Sequence, residues 1–387
     1  MKIIKVYPHN YPLSIKQNAS IVSASMPYVN YSKHDIKIIS SNTVDKIKDE
    51  NIIYIGEKFK ESTQQGNADL SANISYSISY KNYLQETVSK IQHIQPDLIE
   101  VELDLDLAYD IASNVKNIPV VLICHLNLIK SSVFKNIKRF FKIRRIAGFI
   151  FVSCYFQKRF KHFYPFYAKK TYVIHNSYKH INENLIFDVP KENQIIFLGR
   201  ATKRKGIKEF FEGLSIFLQH NNDWHGVLVG SLEQQKEVDY LNTILAIPVI
   251  DSLIKKRRIL IYKNLSNAEA FAELKKSKIA VFPSIPKKHQ EGIPMVALEA
   301  GMAKCLIISS SSGGYPEINP FKEAIIENVS AKAIAKKLEY FSNNTELMEN
   351  LRQQQHKFIK QEFVFGKLMA EFDAVRENIL KNYRKTL

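Results

Sequence analysis

Cysteine is scarce in this 387-residue sequence, which has 3. Cys124, Cys154 and Cys305 each lie in an apolar segment, at no spacing that suits a metal, so they read as buried, reduced thiols of a cytosolic protein rather than a disulfide framework. Long hydrophobic runs are absent too. No stretch reaches the roughly 18–20 apolar residues that span a bilayer, and the opening MKIIKVYP reads as a first strand rather than a signal peptide. The chain is expected to be soluble or to lie on a surface. With 13 Gly, 13 Pro and a 45% hydrophobic fraction it can bury real cores, and its length suits two domains.

Negative charge is the other shortage: 38 Asp and Glu face 55 Lys and Arg, a formal net charge of +17. The shortage is local. From Lys130 to Lys170 there are twelve Lys or Arg and no Asp or Glu, a segregation that favours an anionic partner over a merely solvated face. Within it, Val133–Ile146 (VFKNIKRFFKIRRI) sets Val133, Ile137, Phe140, Phe141 and Arg144 at helical spacing with Lys and Arg on the other faces, while Phe134 and Ile143 break the pattern. A basic amphipathic helix with aromatic residues suits an anionic headgroup surface, each exposed cation adding about 1 kcal/mol. The same composition can bind nucleic acid by stacking. No nucleic-acid module accompanies it, so residues 130–170 are read as a membrane-docking surface and no nucleic acid is expected.

Short runs rich in Ile, Val and Leu alternate with stretches of helical length such as Tyr80–Ile94. Lys2–Tyr7, Ile36–Ser40, Leu98–Glu102, Pro119–His125, Gly148–Ser153 and Thr171–His175 form a first series. Gln194–Gly199, Gly226–Gly230, Arg258–Tyr262, Ile279–Pro283 and Leu306–Ser309 form a second, with a helix expected over Ile207–Leu218. Runs of this kind predict parallel sheets covered on both faces. Two such series predict an α/β protein of two doubly wound Rossmann-like domains facing each other across a cleft. The expected divisions are residues 1–178, residues 179–362 and a C-terminal helix over 363–387 packing back towards the first domain, with Tyr178–Asn193 as the linker and Val364–Asn382 as the amphipathic helical stretch.

Two stretches of the second series carry chemistry. Gly199–Gly206 (GRATKRKG) joins a strand to a helix and holds Arg200 and Lys205 near a helix N-terminus. That arrangement suits phosphate, the Arg fork taking two oxygens and the ammonium acting as a mobile charge. GxxxxGK[ST] is absent, which argues against a nucleotide-hydrolysing loop. Glu291–Gly301 (EGIPMVALEAG) places two carboxylates eight residues apart. Pro294 is pre-set for a first helical turn, so Gly292-Ile293-Pro294 reads as a loop entering a helix, with Glu291 in the loop and Glu299 about a turn and a half along the helix. Arg200 and Glu291 both follow strands whose C-terminal ends line one crevice of a doubly wound domain. A carboxylate for ribose hydroxyls and cations for a diphosphate are the parts of a nucleotide-sugar site.

The pairing of GRATKRKG with EGIPMVALEAG resembles the retaining glycosyltransferases of family 4 (glycosyl transferases group 1), which have the GT-B fold. Tyr172–Ser177 (YVIHNS) is similar to the family's V-I-P-N-G, with Asn176 kept and Ser177 where Gly is usual. Val281–Ser284 (VFPS) and Ser311–Ile318 (SSGGYPEI) resemble two further family segments. The likeness covers roughly Thr171 to Asn328 well and the first domain loosely. It implies that Arg200 and Lys205 bind the donor diphosphate and stabilise the leaving group, that Glu291 contacts the sugar, and that Glu299 holds the ribose. It also implies that Gly199 and the backbone of Gly292, Ile293 and Pro294 lie against the donor, with the base near Tyr262–Leu265. His125, ending PVVLICH, falls where the family commonly has a His near the donor sugar, and Ser153 matches a second common position, though a strand-end cap explains Ser153 equally well.

Many family members have a Gly-Gly loop after the first strand. Pro8–Ser20 has no Gly, so His9, Asn10 or Lys16 is expected to take that role. The acidic run Glu100–Asp106 (EVELDLD) could hold a metal, but the resemblance implies that none is needed, Arg and Lys neutralising the diphosphate. The reading is a cytoplasmic enzyme, peripheral on the inner face of the membrane. It would transfer a sugar from a UDP- or GDP-sugar, without other cofactor, to a lipid-linked, lipopolysaccharide or polysaccharide acceptor. The alternatives are a soluble acceptor, including one giving a disaccharide phosphate, and a non-catalytic nucleic-acid-binding protein.

Overall fold

The computed structural model describes residues 1–387 except 15–23, 57–69, 130–132, 179–188, 233, 287–289 and 386–387. The chain divides into two compact units. The first comprises Met1–His175 and Gly366–Leu387, the second Asn176–Phe365. The linker expected at Tyr178–Asn193 falls largely on residues 179–188, outside the described residues.

In the first unit seven strands, β1 (Lys2–Val6), β2 (Asp35–Ser41), β3 (Ile52–Ile55), β4 (Leu98–Glu102), β5 (Val120–Cys124), β6 (Gly148–Phe151) and β7 (Thr171–Val173), pair in the order β3-β2-β1-β4-β5-β6-β7. Every pairing is parallel. The β-branched content of KIIKV, LIEVE and VVLIC suits strands buried on both faces. One face, with Ile4, Val6, Ile99, Val101, Leu122, Phe149 and Phe151, packs on Leu107, Ile111, Phe156 and Phe160. The opposite face carries Lys5 and Glu100, and Glu100 pairs with both Lys5 and Arg376 of the helix Phe365–Arg384. That helix continues two residues beyond the expected Asn382.

The second unit repeats the scheme with β8 (Glu192–Arg200), β9 (His225–Ser231), β10 (Ile259–Lys263), β11 (Ser277–Phe282), β12 (Leu306–Ser310) and β13 (Ile325–Ile326), in the order β10-β9-β8-β11-β12-β13. All pairings are again parallel. The amphipathic helix Ile207–Leu218 drives Phe210, Phe211 and Phe217 into a core with Phe197 and Trp224. Its bounds are those the sequence periodicity predicts. Strands β3 and β13 went unpredicted, both being short, at four and two residues.

In each unit the strand order reverses beside the first strand, between β1 and β4 and between β8 and β11. The C-terminal ends of the strands at such a switch point are the usual ligand position of doubly wound sheets.

Candidate functional site

At the switch point of the second unit, three loops interlock. The first follows β8. Arg200 is the last residue of that strand, Lys203–Lys205 make a single 3-10 turn, and Gly206 (φ 70°) starts the helix Ile207–Leu218. A Cβ on Gly206 would meet the Pro283 carbonyl oxygen at 2.0 Å, so only glycine lets this loop lie against the one leaving β11. Ile285 N donates to Arg204 O at 2.9 Å and fastens the two. The third loop, after β12, carries Gly313 (φ 60°) and Gly314, where a Cβ would meet the backbone oxygens of Glu291 and Gly292 at 2.1 and 2.0 Å. Gly314 N donates to Glu291 O at 3.0 Å. The Gly-Gly pair thus serves as a backing plate for the EGIP loop, a role absent from the motif-level reading.

This packing brings Lys205 and Glu291 together, with Nζ 2.8 Å from Oε1 and both side chains mostly shielded, at 15% and 14% exposure. The sequence reading assigned one to phosphate and the other to sugar, and their pairing was not anticipated. Arg200 is likewise held by a carboxylate. Its Nε and Nη2 donate to Glu237 Oε1 at 3.0 and 2.5 Å, Glu237 being buried on the helix Gln235–Leu245 that follows β9. Nothing in the sequence singles out Glu237, since an acidic residue in a first helical turn is ordinary.

Pro294 is the N-cap rather than the first helical residue. Its extended backbone (ψ 116°) precedes the helix Met295–Met302, and its carbonyl accepts from Ala297 N and Leu298 N at 3.0 and 3.4 Å. Glu299 follows at the fifth helical residue, half-buried. Asn176 is buried and donates from Nδ2 to Ile293 O at 3.1 Å, fixing Gly292-Ile293-Pro294 from a second side. Tyr315, buried and stacked on Phe282 with centroids 6.0 Å apart, stands behind the loop. Burial, and then the Glu291 charge, push its phenol far above the ordinary range. Gly199 (φ 148°) pairs with Gly230 across β8 and β9. Tyr262, on the sheet's edge strand, pairs with Val229 and stands two strands, about 10 Å, from β8.

In the first unit, His125 follows β5 and its Nε2 lies 2.9 Å from Glu102 Oε2. His9 is buried, its Nε2 2.8 Å from Ser79 Oγ, and burial holds its pKa low. Asn10 is exposed, and Lys16 lies outside the described residues. Ser153 caps the helix Cys154–Phe163, its Oγ accepting from Phe156 N at 3.2 Å. The acidic run is spoken for within the unit. Glu100 and Glu102 pair with Lys5, Asp104 caps the helix Leu105–Asn114, and Asp106 Oδ1 accepts from Lys142 Nζ at 2.6 Å.

The basic stretch is only partly as expected. Ile143, which broke the segregation, is the anchor: it is fully buried in the core under the helix Val133–Ile143. Phe140 packs beside it on Tyr167, at 5.3 Å between ring centroids, whereas Ile137 and Phe141 are exposed, Phe141 at 66%. Phe163 and Phe166 are exposed as well, Phe166 at 86%. Arg139 donates to Leu128 O, and Lys170 Nζ to Ile146 O at 3.0 Å, so these cations also serve the unit's own structure. Lys130 and the side chains of Val133 and Phe134 lie outside the described residues. Among the described residues no helix is long and apolar enough to cross a membrane.

Residues 182–358 match the model of the family described as glycosyl transferases group 1. Over 206 residues the chain is 24% identical to the capsular polysaccharide biosynthesis glycosyltransferase CapM of Staphylococcus aureus; the match covers 53% of this chain and spans about half, 49%, of that relative's length. A glycosyltransferase from Rickettsia africae superposes with a TM-score of 0.71 at 16% identity, covering 98% of this chain and 99% of that one. Anabaena HepE in complex with UDP gives 0.72 at 14% identity over 98% and 100%. Sucrose-phosphate synthase from Thermosynechococcus elongatus gives 0.73 at 12% over 99% and 100%. At such identities the likeness speaks for the fold, two Rossmann-like domains of the GT-B class. The matched segment contains the three interlocked loops, so over residues 182–358 the chain is similar to the glycosyl transferases group 1 family.

Proposed function

We propose that this protein is a retaining glycosyltransferase that moves a sugar from a UDP- or GDP-sugar to a glycan or glycolipid acceptor. The observation that carries the reading is the meeting of Lys205 and Glu291 at the second unit's switch point, with Arg200 ending the strand that leads into the Lys205 loop. Their cations suit a diphosphate and their carboxylate suits a sugar hydroxyl. Glu299, on the helix leaving the same loop, takes the ribose, and Tyr262–Leu265 lie by the base.

In the proposed reaction the bond between the anomeric carbon and the diphosphate oxygen breaks, its electron pair leaving with the diphosphate. The acceptor oxygen forms the new bond from the same face, and its proton passes to the departing phosphate oxygen. Arg200 and Lys205 stabilise the charge that develops there. Glu291 orients the sugar and forms no covalent bond.

The acceptor side is assigned to a membrane surface on the cytoplasmic face. Exposed Ile137, Phe141, Phe163 and Phe166 among Lys and Arg suit an anionic headgroup layer. HepE was crystallised with UDP and with UDP-glucose, and CapM belongs to capsular polysaccharide biosynthesis, both in keeping with this reading.

A panel of UDP- and GDP-sugars tested for slow hydrolysis, with NMR of the released anomer, tests the proposal. One donor cleaved with its anomeric configuration retained is the expected result. Failure of every donor, with neither UDP nor GDP raising the melting temperature while oligonucleotides do, would overturn it.

A further inference from the structure

Glu102 ends β4, and His125 follows β5, the adjacent strand. Both are sheltered, with side-chain exposure of 0% for Glu102 and 8% for His125, and His125 Nε2 stands 2.9 Å from Glu102 Oε2. The other carboxylate oxygen, Oε1, is 2.6 Å from Lys5 Nζ. The same ammonium lies 3.4 Å from Glu100 Oε2. Glu100 in turn accepts from Arg376, Nε to Oε1 at 2.6 Å and Nη2 to Oε2 at 3.0 Å. Arg376 Nη1 closes the row on Asp373 Oδ1 at 2.8 Å and Ser32 Oγ at 3.0 Å. Opposite charges alternate along this buried row, from the C-terminal helix to the C-terminal edge of the first unit's sheet.

Burial alone would raise the Glu102 pKa. Lys5 and His125 beside it outweigh that and hold it at about 2. Glu102 is therefore ionised in the neutral range and can only accept hydrogen bonds. A bond from His125 then requires its proton on Nε2, and in the neutral imidazole Nδ1 is left as the acceptor.

We propose that Glu102 is a positioning residue for His125, fixing the Nε2–H tautomer so that Nδ1 is offered as an acceptor to a substrate hydroxyl. Lys5 fixes the Glu102 carboxylate, and Arg376 fixes Lys5 through Glu100. The hydroxyl contact rests on the glycosyl-transfer reading above, whereas the tautomer follows from the unit's own geometry.

The experiment is long-range ¹⁵N–¹H NMR on the full chain labelled at histidine, recorded at about pH 8, above the ordinary His range. His125 is assigned by the loss of its signals in His125→Gln. The Nε2–H tautomer is expected in the wild type and a mixture of tautomers in Glu102→Gln. In turnover of the nucleotide sugar, Glu102→Gln should lower kcat about 10- to 100-fold with KM within about threefold, and Glu102→Asp should recover part of the loss. A wild-type His125 protonated on Nδ1 overturns the proposal, as does a folded Glu102→Gln with unchanged tautomer and kcat. The wild-type spectrum decides the question even where the Gln variant does not fold. A wild type with the expected tautomer and no turnover would count against the glycosyl-transfer reading alone.

Discussion

Lys205 Nζ lies 2.8 Å from Glu291 Oε1, although the two residues come from loops after different strands and are separated by more than eighty positions in the chain. The pair makes the site self-neutralising in the absence of ligand. On the proposed reading, a diphosphate arriving at Lys205 would compete with a carboxylate already in place and shift Glu291 from the ammonium to a sugar hydroxyl. Glu291→Gln removes the competitor. UDP or GDP should then bind about three- to fivefold more tightly, the scale of one partly exposed ion pair, while transfer falls at least about tenfold. Lys205→Ala should weaken nucleotide binding and transfer together. Calorimetric titration with each nucleotide checks this, and a Glu291→Gln protein that binds the nucleotide more weakly would contradict it.

Arg200 has a second duty that its motif does not reveal. Two of its nitrogens donate to Glu237, whose side chain is 2% exposed against 36% for Arg200. Removing the arginine takes a counter-charge and two hydrogen bonds from a buried carboxylate, a defect costing about 2 kcal/mol after allowance for the half-open side of the pair. Arg200→Ala should therefore lower both activity and thermal stability. Adding Glu237→Gln should return most of the stability and none of the activity. Differential scanning calorimetry of the single and double variants separates the two duties, and additive losses in the double variant would refute the pairing argument.

Gly313 supplies a backbone that no other residue can. Its φ of 60° lies in the left-handed region, and a Cβ there would stand 2.1 Å from Glu291 O. Gly313→Ala must push the EGIP loop away from the Lys205 turn. The expected cost is about 2–4 kcal/mol of stability in the second unit and a severe loss of nucleotide binding. Trp224 is the chain's single tryptophan and is buried in that unit's core, so its fluorescence during urea unfolding reports the change directly. An unshifted midpoint with intact nucleotide affinity would show that the three loops are not coupled.

The alternation of both modules was legible because fully buried parallel strands must be continuous runs of β-branched and aliphatic residues, as in VVLIC and LIEVE. The candidate site's residue types were legible for a similar local reason: a strand-to-helix loop ending in Gly206 and a Glu–Gly–x–Pro loop carry much of their backbone geometry in their composition. Pairings were not. Glu237 is one of many helical acids, and only the fold puts it under Arg200. A better signal was available for the buried row in the first unit. Lys5 interrupts an apolar strand, and Glu100 and Glu102 share one face of theirs by the two-residue repeat, which calls for cations across the sheet. The basic helix misled because Ile143 was judged by the pattern around it, whereas tertiary packing chose it as the buried face.

That buried row also sets an acid limit. Burial raises the carboxyls of Glu100, Glu102 and Asp373, and in each case paired cations or hydrogen bonds outweigh it, leaving Glu102 at about 2 and the other two below their ordinary values. In the unfolded chain a glutamate takes up its proton near 4.5. A depressed folded pKa means that the stability is fully present above that value and is lost as pH falls towards about 2. Urea midpoints read by far-UV circular dichroism at about pH 5, 4 and 3 should fall steeply in the wild type and more gently in Glu102→Gln. Parallel slopes in the two proteins would place the acid-sensitive group elsewhere.

Phe141 and Phe166 test the surface assignment more sharply than the cations do, because cations alone bind any anion. Phe140, packed on Tyr167, connects the exposed Phe141 to the segment that carries the exposed Phe166. Each ring should contribute about 1.5–3 kcal/mol when it enters an acyl boundary, whereas nucleic acid would reward stacking and lose affinity steeply with salt. Phe141→Ser with Phe166→Ser should lower flotation with vesicles containing anionic lipid at least about tenfold at moderate salt and leave slow donor hydrolysis in solution unchanged. Vesicles of neutral lipid should bind the wild type weakly, since the cations no longer contribute. A double variant that floats like the wild type would remove the aromatic half of the assignment, and stronger binding to oligonucleotides than to anionic vesicles would remove the whole.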